Sequence, residues 1–367
     1  MKSLYVVFFA LLMACCGGKA ENEKFVVNRG VNIAHWLSQS DRRGAERDSF
    51  FTERDIRYIA SLGFDHVRIP IDEEQMFLET GEKDSKAFSL LHQALDRCIK
   101  AGLRVVVDLH ILRSHHFNAS VKPLFTDFTA QSTFCECWRK LSGELAKYPV
   151  GWVAYELMNE PVADDPEDWN KVAGMCFEAV RQLEPERVIV IGSNRWQSHE
   201  TVKDLRVPEN DKNIIISFHY YVPFLLTHYE ASWTGQKDYH GPVHYPGVIV
   251  SQEELDSAEV SPETKKTVQW TAGQVFDKER MKRDFQQAAD VAAKYGLQIY
   301  CGEYGCLNTS KGEDRLRWHR DMEAVFDSMG IARALWCYRE SDYGFGILKI
   351  NKPDEELINA MNLPSVK

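Results

Sequence analysis

Short apolar runs recur along the chain with helix-like stretches between them. The runs are Gly30–Ile33, His66–Ile69, Arg104–Leu109, Val153–Met158, Val188–Ile191, Asn213–Phe218, Gln298–Gly302 and Ala332–Trp336. Each is strand-length and bounded by polar or glycine-bearing segments, and each precedes a candidate helix. Three helices stand out. Thr52–Leu62 has Thr52 as N-cap, carries Ile56, Ile59 and Ala60 on one face, and stops at Gly63. Phe88–Ala101 stops in the same way at Gly102, and Met281–Tyr295 at Gly296. Strands joined by helices point to parallel pairing through crossovers, and eight is the number that closes a TIM (β/α)8 barrel, the α/β architecture expected here. An open doubly wound sheet is the alternative, but no Gly-x-Gly-x-x-Gly turn follows the first strand.

A barrel of this kind collects its chemistry at the C-terminal ends of the strands, and the sequence places functional groups there. Asn32 or His35 follows the first run and Arg68 closes the second. Asp108 and His110 close the third, Asn159 and Glu160 the fourth, and His219 and Tyr221 the sixth. Glu303 closes the seventh and Trp336 the eighth. Any one of these groups alone is better read as a satisfied structural residue. Together they form a ring of strand ends, and two of them are glutamates on different strands. Glu160 sits in Asn159-Glu160-Pro161, where the proline cannot donate to a sheet and pairing stops beside the acid. Glu303 sits between Gly302 and Gly305. Cleavage of a glycosidic bond needs two such acids, one to protonate the departing oxygen and one to attack the sugar carbon or activate water.

The gap from His219 to about Phe276 is far longer than an ordinary connection, so a functional insertion is expected after strand six. It carries Tyr220, Tyr221, Phe224, Tyr229, Trp233, Tyr239, His240, His244, Tyr245 and Trp270, flat faces on which pyranose rings can stack. Roughly half of these are expected to pack the insertion onto the barrel instead. Glu156 shares the strand parity of Glu160 and is expected to point inward and pair with a basic group. Asp72, Glu73 and Glu74 are expected to be solvated loop charges.

Composition narrows the partners. The 367 residues with 44% hydrophobic content suffice for one large core, so a single catalytic domain over 25–367 is expected. A formal charge of −10 without a basic run excludes nucleic acid as the natural ligand and suits a neutral one. Residues 1–14, with Lys2 ahead of an apolar core from Leu4 to Met13, read as an export signal too short to span a bilayer. The junction Leu12-Met13-Ala14-Cys15 is similar to the lipobox of bacterial lipoproteins. Cleavage there would leave a cell-surface or periplasmic protein whose only link to a membrane is a lipid on Cys15; an ordinary cleaved signal would leave it secreted. Residues 15–24 then form a tether.

Of nine cysteines, Cys98, Cys135, Cys137, Cys176, Cys301, Cys306 and Cys337 fall in the catalytic region. That odd number is no disulfide framework, and buried thiols are the expectation, with one disulfide among Cys301, Cys306 and Cys337 near one barrel end as the alternative. His115 and His116 lack ligand partners at metal spacing, so they are read as bordering a sugar subsite, and no metal or other cofactor is expected.

The constellation resembles glycoside hydrolase family 5, the cellulase-like retaining β-glycanases on a TIM barrel. The resemblance runs from Arg29-Gly30-Val31-Asn32 and Trp36-Leu37 to Ala334-Leu335-Trp336. It rests on Arg68 in Val-Arg-Ile-Pro, His110 in Asp-Leu-His, Asn159-Glu160-Pro161, His219-x-Tyr221, Glu303 and Trp336. It implies Glu160 as acid/base and Glu303 as nucleophile. It also implies Arg68, His110, Asn159, His219, Tyr221 and Trp336 as substrate-binding groups, with Arg68 and Tyr221 near Glu303 and His219 near Glu160. The expected activity is retaining endo-β-glucanase action on a polysaccharide or oligosaccharide by a monomer. Exo-β-glycosidase or mannan activity on the same scaffold is the near rival. A glycan-binding lipoprotein without catalysis is the distant one, since both acids are present. A metal-dependent barrel hydrolase would need several His and Asp ligands at the strand ends.

Overall fold

The computed structural model describes residues 24–310, 312–339, 345–349 and 352–364. The β-branched runs form eight strands: β1 (Arg29–Asn32), β2 (His66–Asp72), β3 (Arg104–Ile111), β4 (Val153–Glu156), β5 (Ile189–Gly192), β6 (Ile214–Tyr220), β7 (Gln298–Tyr304) and β8 (Ala332–Leu335). Each pairs in parallel with its neighbours in sequence, and β8 pairs with β1, so the sheet closes into a barrel. This is the expected (β/α)8 architecture. Polar residues also stay in the ladder, so some strands outrun their apolar runs, while β4 is shorter than its run. His219 and Tyr220 lie inside β6, Glu303 lies inside β7, and β4 ends at Glu156, short of Met158.

Four helices are long crossovers in the first half: α1 (Glu53–Ser61), α2 (Ser85–Lys100), α3 (Phe128–Leu145) and α4 (Pro166–Arg181). Two more, α5 (Lys278–Tyr295) and α6 (Gly312–Met329), flank β7. The caps explain where they start. Thr52 and Asp55 make a capping box on α1, while Asp84 and Asp277 accept from backbone N–H groups at the starts of α2 and α5. These aspartates place the starts three residues before Phe88 and Met281, where apolar periodicity alone set them. Gly296 ends α5 at φ 62°, as expected. One expectation fails: β5 is followed by a short turn, Asn194–Gln197, and a 3-10 helix, His199–Asp204, rather than a full helix. The insertion after β6 holds only short helices and an antiparallel ribbon of Gly247–Val248 with Val275–Phe276.

Inside the barrel, Val106, Ala154, Val190, Ile215, Tyr300, Ala332 and Ala334 pack with Phe25 and Val27 into an apolar layer. With a side-chain period of two, Asp108 and Glu156 stand directly above Val106 and Ala154 on the same inner face. The layer above the apolar floor is therefore charged. Outside the barrel, three buried tryptophans pin backbone beside that layer. Trp138 donates to the carbonyl of Leu157, Trp169 to Gly192 and Trp318 to Val222, at 2.8, 2.9 and 3.0 Å. Each indole adds apolar area to the core and satisfies a carbonyl where a strand leaves the ladder.

Two charge readings need correction. Asp72 is buried and accepts from the Gln39 N–H at 2.7 Å. Glu73 is buried and pairs with Arg113 at 2.8 Å, so of the three only Glu74 is solvated. They stay inside because β2 runs to Asp72, three residues past the apolar run, and the chain then turns under the barrel rim. The export signal and all but the last residue of the tether lie outside the described residues. Among the described residues no helix is long and apolar enough to cross a membrane, and the seven cysteines named above are buried free thiols.

Candidate active site

Arg68 is the centre of the charged layer. Its guanidinium is fully buried and donates in every direction: Nε to Glu156 Oε2 at 2.6 Å and Nη2 to Glu156 Oε1 at 3.1 Å. Nη1 donates to Asn32 Oδ1 at 2.9 Å and Glu303 Oε1 at 2.8 Å. Nη2 also reaches Asn159 Oδ1 at 2.9 Å and Asp108 Oδ2 at 3.1 Å. A planar fork of five N–H donors suits this task, and an ammonium would not. Glu156 thus has the basic partner expected of it. That partner is the same arginine that holds Glu303, so Glu156 belongs to the site.

The two strand-end glutamates meet across the barrel mouth. One carboxylate oxygen of Glu160, one of Glu303 and a ring nitrogen of His219 all lie within 4.8 Å of one another. His219 Nδ1 is 2.9 Å from Glu160 Oε1 and 3.6 Å from Glu303 Oε2. Tyr221 donates its phenol to Glu303 Oε2 at 3.0 Å. Gly302 makes room for the imidazole, because a Cβ there would come 3.0 Å from His219 Nε2. Glu160 itself has φ 45°, a left-handed conformation held by its surroundings. The trio of Glu160, His219 and Glu303 is also close enough to hold a cation. Its nitrogen, however, already faces a carboxylate at hydrogen-bond distance, and the Arg68 charge already serves Glu303.

Burial sets the protonation states. Desolvation pushes the Glu160 carboxyl well above its ordinary value, and repulsion from Glu303 adds to the rise. Desolvation raises Glu303 too, but Arg68, His110 and the Tyr221 phenol pull it back. Burial, then the nearby Arg68 and His110, hold His219 well below its usual range, so it is neutral. His110 falls to about 3, chiefly by burial, and its Nδ1 lies 2.7 Å from Asp108 Oδ2. Asp108 is pushed up to about 7 by burial against the pull of Arg68. Both carboxyls end above their ordinary value, Glu160 further than Glu303, so Glu303 is the one that ionises first.

A cleft of about 650 Å³ opens over these groups, a usual size for a ligand site. Of the residues expected from sequence, His110, Asn159, Glu160, Tyr221, Glu303 and Trp336 line it, as do His35 and His116. Arg68 and His219 lie beneath, in contact with the acids. The Asn159 oxygen accepts from Arg68, and the residue lines the cleft. Trp336 stacks on His110 with ring centroids 5.7 Å apart, and its peptide to Cys337 is cis. His115 does not border the cleft: it is buried, with Nε2 3.2 Å from the Glu160 carbonyl.

The insertion divides only partly as expected, since His240, His244 and Trp270 are exposed and do not line the cleft. Tyr221, Phe224 and Trp233 line the cleft, joined by His228, which stacks on Phe224 at 4.0 Å. Tyr229, Tyr239 and Tyr245 are buried and pack the insertion down. The sequence reading missed His228, Gln39, Phe117, Asn118, Trp196, Thr234 and Phe345. Trp196 had a usable signal, an isolated aromatic just after a barrel strand. It is 51% exposed, and its indole donates to the Phe117 carbonyl at 3.0 Å.

A sequence model of the family described as Cellulase (glycosyl hydrolase family 5) matches residues 25–342. The chain is 31% identical to Endoglucanase C of Acetivibrio thermocellus over 338 residues, 90% of this chain and 97% of that protein. It is 30% identical to Cellodextrinase A of Ruminococcus flavefaciens, covering 83% of each. In fold it is similar to the crystal structure of endoglucanase Cel5A from Thermotoga maritima. The TM-score is 0.71 at 23% identity, over 91% of this chain and 96% of that one.

Proposed function

The chain belongs to glycosyl hydrolase family 5, the retaining glycoside hydrolases, and from that premise we propose that it is an endo-acting, cellulase-type β-glucanase in which Glu160 is the acid/base and Glu303 the nucleophile. The observation that carries the residue roles is the pair of carboxylates within 4.8 Å, unequal in their surroundings. Carboxyl groups about 5–5.5 Å apart suit the retaining route, while inverting enzymes need about 6.5–9.5 Å to fit a water.

Each group has a task in that route. Glu303, kept anionic by Arg68 and aimed by Tyr221, attacks the anomeric carbon as the bond to the departing oxygen breaks. Glu160, kept protonated by burial, delivers its proton to that oxygen. A covalent glycosyl–Glu303 ester results. Glu160, now anionic and beside neutral His219, takes a proton from water, which attacks the same carbon and releases Glu303. Positive charge grows on the sugar ring in both steps. The Asn159 amide is placed to hold the 2-hydroxyl as it does, and Trp336 with His110 supplies a flat floor.

Endo action on a β-glucan is supported by the endoglucanase and cellodextrinase names of the relatives and by two aromatic groupings in the cleft, Trp196 with Phe117 and Phe224 with His228 and Trp233. Incubation with soluble cellulose derivatives, mixed-linkage β-glucan and mannan, followed by chromatography and viscometry, tests it. A viscosity drop that outruns reducing-sugar release on a β-glucan is expected. Monosaccharide release at constant viscosity would overturn the endo reading.

The N-terminal pattern supports export, with residues 1–14 removed and a lipid on Cys15. Labelling of cells with a tagged fatty acid tests this, since incorporation should disappear in Cys15→Ser.

A further inference from the structure

After β5 the chain makes a turn through Arg195, Trp196 and Gln197 at φ 54°, 59° and 52°. Three consecutive left-handed residues without a glycine are costly, on the order of 1 kcal/mol or more each, and persist only where the surroundings enforce them. The turn puts Gln197 fully inside, under the acids. Its Oε1 accepts from the backbone N–H of Glu160 at 2.9 Å, and its Nε2 donates to Glu156 Oε1 at 3.1 Å. Both partners fix the amide's orientation, since an N–H must meet the oxygen and a carboxylate must meet the NH2. Trp196 N–H donates to the Pro161 carbonyl at 3.2 Å, so the turn grips the Glu160 backbone from both sides. Gly192 leaves the space, for a Cβ there would stand 1.9 Å from Gln197 Nε2.

We propose that Gln197 is a positioning residue for the reaction: its carboxamide locks the left-handed backbone of Glu160 to the Arg68–Glu156 pair, and so fixes where the proton donor stands relative to the departing oxygen. It touches no substrate. Its effect reaches the chemistry through the Glu160 main chain on one side and through Glu156 and Arg68 on the other. The inference rests on Glu160 being the acid/base. It goes beyond that reading in assigning the precision of proton delivery to a side chain on the neighbouring strand's turn.

The dependence on leaving group tests it, because a dinitrophenyl leaving group departs without a proton and a sugar does not. The substrates are a cello-oligosaccharide and a dinitrophenyl β-cellobioside, and the variants are Gln197→Met, the same-size Gln197→Glu, and Gly192→Ala, which pushes the amide aside. In Gln197→Met, kcat/KM on the oligosaccharide is expected to fall about 10–100-fold and that on the dinitrophenyl substrate by less than about 3-fold. Gln197→Glu sets a carboxylate against Glu156 and the Glu160 N–H, which favours protonated Glu160 and moves the basic limb of the pH profile upward. It also serves as the folded variant should Gln197→Met not fold. Equal losses on both substrates, with an unmoved pH profile, would mean a merely structural role and overturn the inference. Glu160→Ala is the control: if it too lacks leaving-group dependence, the acid/base reading fails instead.

Discussion

Arg68 and Glu156 form a two-pronged ion pair, Nε to Oε2 at 2.6 Å and Nη2 to Oε1 at 3.1 Å, with neither residue exposed to solvent. Removing one partner of a buried pair leaves the other desolvated and uncompensated, which costs about 3–5 kcal/mol. Glu156→Leu is therefore expected to lower stability toward the small end of that range, because Asp108 and Glu303 still face Arg68. Glu156→Gln keeps an oxygen for the guanidinium and should cost much less. Urea unfolding midpoints of the two variants check the order, and equal midpoints would contradict it.

Loss of either acid should stop turnover with the fold intact. For Glu303→Ala and Glu160→Ala a drop in kcat of roughly 10³-fold or more is expected. Far-UV circular dichroism should match the parent. Near-normal activity of both variants on the true polysaccharide would remove the site assignment.

The pH profile should be a bell, rising as Glu303 ionises and falling as Glu160 loses its proton. Tyr221 donates to Glu303 and lowers its pKa. Tyr221→Phe removes that donor, so Glu303 keeps its proton to higher pH and the acid limb should move up, by up to about one unit. A limb that stays put or moves down in kcat/KM against pH counts against the contact.

Buried neutral histidines predict acid sensitivity. His319 is buried with no hydrogen-bond partner at either ring nitrogen among the described residues, and burial with nearby Arg315 holds it well below the usual range, with Asp354 opposing. Its folded pKa is depressed, so the uncharged form is favoured on folding. This stability is complete above the unfolded value of about 6.5 and is lost as pH falls below it. In His319→Leu the fall in Tm between pH 7.5 and pH 5 should be smaller than in the parent, as read by calorimetry.

Trp196 stands at the cleft edge on the Glu160 side, half exposed and pinned through its indole N–H. Trp196→Ala should raise KM for long substrates about 3–10-fold with kcat little changed, the mark of uniform binding. An unchanged KM would place that ring outside the substrate path.

Much of this was legible along the chain. Eight apolar runs in alternation with helices determine parallel pairing and barrel closure, because crossover chirality and strand number leave few other ways to bury them. Strand-end position then marked Glu160, Glu303, Arg68, His110, His219, Tyr221 and Trp336, since period two and the barrel's polarity carry those side chains to one mouth. Helix starts were misplaced where aspartate caps precede the apolar stripe. Asp72 and Glu73 were misread because charge suggests solvent, and only the packed rim supplies Gln39 N–H and Arg113 as partners. Which groups touch was decided in three dimensions. Arg68 bridges Glu156 and Glu303, residues 88 and 235 positions away, and no local pattern encodes that contact. The same holds for Gln197, whose meaning appears only when the turn after β5 folds back on the end of β4. Sequence sets which face each side chain takes. Closure of the ring sets the distances, and through burial and neighbouring charge it sets which glutamate keeps its proton.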